Sequence, residues 1–324
     1  GDFHIDDSGV YFDDIKLRDR YNGTGSINGS INWDRFKDFT FNARIGVNSI
    51  EGLDLTESMN EYIYGNVFGT GNVSITGPIN SLVLSVDAVT AKSGHIHIPM
   101  SGSATSGGST NLLKFKEPAT EIYIDPYEAM RARLAYKENS HNDFLVKIRV
   151  DASPNLEAFV EIDKASGNVL SGTGNGLLEL EIDEDLFNIN GDFTLTGGKY
   201  NFSALGLVNR EFTIKDGSSI NFSGDIMAST LDIDAVYNTK VSLAPLLSDD
   251  NSVANRRNVE CGIQITDRLS NPRLDFSIEI PDLNPMVKSR VESALSTEDK
   301  VQKQFLSLLL SNSFLPDEQS GIAN

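Results

Sequence analysis

The sequence predicts a mainly β protein, an elongated array of strands that ends in α-helices. Three observations carry this. Apolar and polar residues alternate with period two over much of the chain. Clusters of Gly, Asn, Asp and Ser separate the alternating runs, where turns are needed. The tripeptide Gly-Thr-Gly recurs at 23–25, 69–71 and 172–174, with gaps of about 46 and about 103 residues. That spacing suggests modules of about 50 residues, each of several strands.

The alternation is clearest in the second half. In Leu178-Glu179-Leu180-Glu181-Ile182-Asp183 the apolar residues share one face and the carboxylates the other. The same pattern runs through 146–151, 193–196, 212–215, 220–223, 231–235 and 274–279. Two stretches break it. Residues 125–138 read as a short helix or irregular insert. At the C-terminus, Asn284-Pro285 can start a helix carrying Met286, Val287, Val291 and Leu295. Ser296 with Asp299 resembles a capping signal for a second helix over about 297–312, with Val301, Phe305, Leu308 and Leu309 on one stripe. The tail from Pro316 reads as disordered.

A glycine-rich stretch such as GTGNVSITG at 69–77 raises the question of a phosphate loop. A dinucleotide fingerprint needs a third glycine and then a helix. The third positions here hold Asn28, Ser74 and Leu177, and alternation follows each one. Glycine as a turn, or as a point where a strand bends, fits better.

Composition narrows the function. A formal net charge of −19 opposes nucleic-acid binding, which needs a basic footprint, and opposes loose docking on an anionic membrane. The one cysteine, Cys261, permits no intramolecular disulfide and reads as a small buried hydrophobe. No run approaches the ~18 apolar residues of a spanning helix. No signal peptide opens the chain, which begins on a polar segment, so we expect a piece of a longer protein.

Candidate chemistry is thin, and we expect no enzyme, no cofactor and no metal. His95 and His97 share a strand face at metal-ligand spacing, but no further His or Cys lies near them in sequence. Asp183-Glu184-Asp185 fails the spacing of a calcium loop and reads as a turn. Asp232 and Asp234 share a face as a glycosidase pair would, yet acidic residues line nearly every strand, which marks solvent. All four histidines lie before residue 142, so the best-patterned half has none for acid–base work. What remains is the apolar face, which must be covered. A sandwich or barrel core would close it; a curved sheet would leave it partly open to an apolar ligand.

The stretch from about Val150 to Phe314 resembles the C-terminal domain of the TamB family, the translocation and assembly module proteins of Gram-negative bacteria. The matching residues are VEIDKASGNVLSGTGNGLLELEI at 160–182, FNINGDFTLTGGKYNFS at 187–203, REFTIKDGSSINFSGDIMASTLDIDAVY at 210–237 and VECGIQITDRLSNPRLDFSIEIP at 259–281. The helical end at 293–314 looks like Bacteroidetes-type members, and YGNVFGTGNVSITGPIN at 64–80 looks like a family repeat. NFSGD at 221–225 lacks the tryptophan and proline of many relatives, and the segment at 246–258 reads as a polar, family-variable loop.

The resemblance implies a β-taco, an elongated curved β-sheet folded into a U-shaped groove with an apolar interior, plus C-terminal helices. We divide the chain into an upstream β-repeat region at 1–140, a β-taco region at 141–283, helices at 284–315 and a tail at 316–324. The resemblance also implies a periplasmic part of an AsmA-like bridge that carries phospholipid acyl chains in support of outer-membrane biogenesis. The parent would be anchored in the inner membrane by an N-terminal helix absent here, and would meet an outer-membrane barrel of the TamA type. The groove would be lined by Leu178, Leu180, Ile182, Phe193, Leu195, Phe212, Ile214, Ile220, Phe222, Leu231, Ile233, Leu274, Phe276 and Ile278. An assembly factor for outer-membrane β-barrels, working through a sheet edge, is the alternative.

Overall fold

The computed structural model describes residues 1–60, 63–99, 143–163, 167–183, 187–204, 208–247 and 253–316. The proposed insert at 125–138 and the tail beyond 316 lie outside the described residues. Among the described residues sixteen strands form one curved sheet. The first seven are β1 (Asp2–Asp6), β2 (Gly9–Arg18), β3 (Thr24–Asp34), β4 (Lys37–Leu55), β5 (Tyr64–Pro78), β6 (Ser81–Thr90) and β7 (Gly94–Pro99). Then come β8 (Asp143–Ala152), β9 (Leu156–Asp163), β10 (Asn168–Ile182), β11 (Phe187–Ala204), β12 (Val208–Ile214) and β13 (Ser219–Gly224). A single 3₁₀ turn (Ile226–Ala228) leads to β14 (Thr230–Ser242), β15 (Arg256–Arg268) and β16 (Asn271–Glu279). Two helices follow, α1 (Pro285–Ala294) and α2 (Glu298–Ser311).

Most neighbours are antiparallel, as short polar turns allow. Two pairs are parallel, β6 with β8 and β7 with β9. Long strands span two short ones end to end. β5 pairs β6 with one half and β7 with the other. β10 does the same with β8 and β9, and β11 with β13 and β12. The junctions between the short strands form a line of bends across the sheet.

Hydroxyl side chains satisfy the backbone groups that these bends release from the ladder. Ser49 sits at φ 57° where β4 slips register against β5, and its N–H donates to Thr70 Oγ1 at 2.9 Å. Ser153 N–H, between β8 and β9, donates to Thr90 Oγ1 at 2.8 Å. Thr196 Oγ1 donates to the Thr173 carbonyl at 3.2 Å, beside the register shift at Thr173/Gly174. Ser218, between β12 and β13, accepts from Asp234 N–H at 3.1 Å and donates to the Lys215 carbonyl at 2.8 Å. Buried backbone groups need such partners wherever a ladder is interrupted.

Two of the Gly-Thr-Gly threonines, Thr70 and Thr173, belong to this line. The glycines beside them mark close approach of neighbouring strands. A Cβ on Gly71 would stand 2.6 Å from Ala88 Cα, and one on Gly174 would stand 2.8 Å from the Phe193 ring. Strand continues after all three tripeptides, so none opens a helix as a phosphate loop would.

The helices begin as their caps dictate. Asn284 Oδ1 accepts from Val287 N–H at 2.9 Å, with Pro285 in the first turn of α1. In α2 the cap is Thr297, whose Oγ1 accepts from Lys300 N–H at 3.3 Å. The Ser296/Asp299 expectation is therefore one residue early; Thr297 has the extended backbone that a cap needs. Met286 also differs from expectation. It is 78% exposed, because Val291 and Ala294 form the buried side of α1. The segment at 246–258 is less polar in place than in sequence: Leu246 and Leu247 are buried, and β15 already begins at Arg256.

Candidate functional site

Residues opposite each other on paired strands share a face, so the register shows whether the apolar positions line up. They do. Ile15, Ile27, Ile45, Val73, Val86, Ile148, Leu180 and Ile189 are successive partners from β2 to β11. A parallel row runs Leu17, Gly25, Val47, Gly71, Ala88, Val150, Leu178, Gly191 and Phe222. We call this face inner, because it also carries the core.

The two ends of the inner face are covered differently. Beyond β9 much of it is closed, although Leu178, Leu180, Ile182 and Phe222 stay half-buried. Phe212, Ile233 and Val259 are fully buried, and the helices complete the cover with Val291, Phe305, Leu308 and Leu309. Phe305 packs on Phe276 at 4.6 Å and stacks on Phe212 at 6.1 Å. Burial pushes the Cys261 thiol and the Tyr200 phenol up to about 12, since neither charged form finds water there. From β2 to β8 the same rows are half-buried. Ile15, Ile27, Ile45, Val73, Val86 and Ile148 are half-buried, and none of them belongs to the closed core or packs against it.

The fourteen residues proposed to line the groove all lie in strands of this sheet, and they divide by cover. Phe193, Leu195, Phe212, Ile214, Ile220, Leu231 and Ile233 are buried in the closed core. Leu178, Leu180, Ile182, Phe222, Leu274, Phe276 and Ile278 are half-buried. The sequence reading left out the first half, although alternation at Ile27, Ile45, Val73 and Val86 was there to read. Glycines and asparagines interrupt those runs, and only the register shows them to be continuous with the rest.

The polar candidates gather into no reactive cluster. Asp232 and Asp234 are exposed on the outer face of β14, opposite Thr266 and Gln264. His97 is sandwiched between Tyr64 and Phe159, with centroids 4.7 and 4.5 Å away, and its Nδ1 lies 3.0 Å from Glu161 Oε1. His95 is its edge-on neighbour at 5.6 Å. Among the described residues no group of three or more His, Cys, Asp or Glu is placed to hold a metal ion. Cys261 is fully buried in β15.

Residues 13–324 match the family described as the TamB C-terminal domain. This chain belongs to that family. No curated protein matches it. The TamB match covers nearly all of the sheet and both helices, so the upstream strands fall within the same family match as the C-terminal ones. TamB proteins are envelope-associated and non-enzymatic, serve a translocation and assembly system, and work with an outer-membrane partner. No helix among the described residues is long and apolar enough to cross a membrane.

Proposed function

We propose that this chain is a periplasmic part of an inner-to-outer membrane bridge that carries phospholipid acyl chains along the apolar inner face. The observation that carries this reading is the pair of cross-strand rows from Ile15 and Leu17 to Ile189 and Phe222, half-buried from β2 through Leu178 and Leu180 of β10. Each CH₂ taken from water contributes about 0.8 kcal/mol. An acyl chain therefore needs a continuous apolar strip and few polar contacts. A strip of near-equivalent Ile, Val and Leu holds no position much better than the next, which favours sliding. Headgroups stay outside the apolar strip, and any direction of travel is imposed from elsewhere.

Lipid mass spectrometry on chain purified without detergent tests this. The comparison is a double variant, Val86→Lys with Leu180→Lys, at half-buried positions of one row where lysine stems can reach water. Charges at the core residue Phe193 would test folding instead. Phospholipid on the wild type, lost from a variant of unchanged secondary structure and unfolding midpoint, supports the bridge. Absence of lipid from the wild type counts against it. The barrel-assembly alternative draws on a different feature, the β1 edge, where Asp2–Asp6 are all exposed and β2 is the one partner among the described strands. It predicts that proline at the β1 edge matters more than inner-face charge.

A further inference from the structure

The inner positions of β11, β12 and β14 hold one charged side chain, Arg210. It stands opposite Phe202 and lies between the buried Val208 and Phe212 along β12. Its guanidinium rests over the Tyr237 ring, 5.9 Å from the centroid. Its Nε is buried and has no acceptor. No carboxylate among the described residues pairs with it; the adjacent Glu211 points to the outer face and pairs with Lys199 at 3.0 Å. A buried guanidinium N–H without an acceptor is among the more costly arrangements in a protein.

Capping of α2 does not explain it. No hydrogen bond joins Arg210 to the end of that helix, which closes through other residues. Asn312, at φ 55°, donates its N–H to the Leu308 carbonyl at 3.1 Å, and its side chain accepts from Thr239 Oγ1. Ser307 Oγ donates to the Ser313 carbonyl at 2.7 Å, and Gln304 Nε2 to the Leu315 carbonyl at 3.0 Å. Phe305 and its neighbours supply apolar cover over this part of the face, and no anion.

We propose that Arg210 is the contact for an oxyanion, a phosphate or phosphodiester group, brought by an amphiphile whose chains use the inner face. This rests on the acyl-chain reading above and adds a recognition point to it. The guanidinium fork matches two phosphoryl oxygens, and its delocalised charge is less strongly hydrated than an ammonium, which suits a site beside aromatic rings. Such a ligand would supply both the apolar contacts that α2 now makes and the acceptor that α2 lacks.

Calorimetric titration of the whole chain tests this with three probes. They are dioctanoyl phosphatidylglycerol and dioctanoylglycerol, each below its aggregation threshold, and inorganic phosphate. We expect the wild type to bind the phospholipid about tenfold tighter than the diacylglycerol. Arg210→Met should abolish that preference, and Arg210→Lys, which keeps the charge and guards against a folding artefact, should keep part of it. An unchanged preference in a folded Arg210→Met overturns the Arg210 assignment while leaving acyl binding standing. Arg210-dependent binding of phosphate, with neither amphiphile bound, upholds the oxyanion site with free phosphate as its source and overturns the acyl-chain reading. Binding of none of the three overturns both.

Discussion

The ring of Phe305 on α2 lies 4.6 Å from that of Phe276 on β16, which brings the last described helix onto the last described strand of the sheet. Phe202 and Phe212 complete the aromatic cluster from β11 and β12. The helix thus closes one end of an apolar face whose other end is half-buried and outside the closed core.

Phe305→Ala should cost about 3–5 kcal/mol, because the side chain is fully buried and its loss leaves a cavity. Urea unfolding measures this. Amide exchange should accelerate across 298–311 before it does in β14 and β15. Equal acceleration everywhere would show that α2 is part of one cooperative core and no separable cover.

Thr70→Ala removes the acceptor for Ser49 N–H at the β4 bend, and should cost about 1–2 kcal/mol. Thr70→Ser keeps the hydroxyl and should retain most of the stability. If the serine and alanine variants unfold at the same urea concentration, the hydroxyl is not what holds the bend.

Stability should fall in alkali. Burial raises the Cys261 thiol from 9.0 to about 12 and the Tyr200 phenol from 10.0 to about 12. Between those limits the native state keeps protons that the unfolded chain has released, so unfolding is favoured as pH rises. The contribution is complete below pH 9.0 and declines toward about 12, by up to about 1.4 kcal/mol per pH unit for each group. Tyr200→Phe and Cys261→Ala should each flatten that slope. Cys261 should also resist thiol reagents until the sheet unfolds.

Local pattern made much of the sheet legible. Alternation such as Leu178-Glu179-Leu180 assigns each side chain to a face, because successive residues on a strand point opposite ways whatever lies beyond them. The same rule placed Asp232 and Asp234 in solvent. The caps were nearly as readable, with Thr297 in place of Ser296, since both hydroxyls suit that position and backbone geometry chooses between them.

Period and turn chemistry act over a few residues, and they suffice to make this protein a β array with one apolar face and a helical end. Tertiary structure decided what covers that face. Phe212 is sealed and Val86 half-open, although both sit in the same kind of alternating run; the difference is α2, nearly a hundred residues beyond Phe212 in the chain. It also decided that Thr70, Thr90, Thr173 and Ser218 fall on one line of bends, and that Arg210 faces Phe202 and Tyr237 with no carboxylate beside it. Such relations join residues distant in sequence through register and packing, and a local pattern holds no record of either.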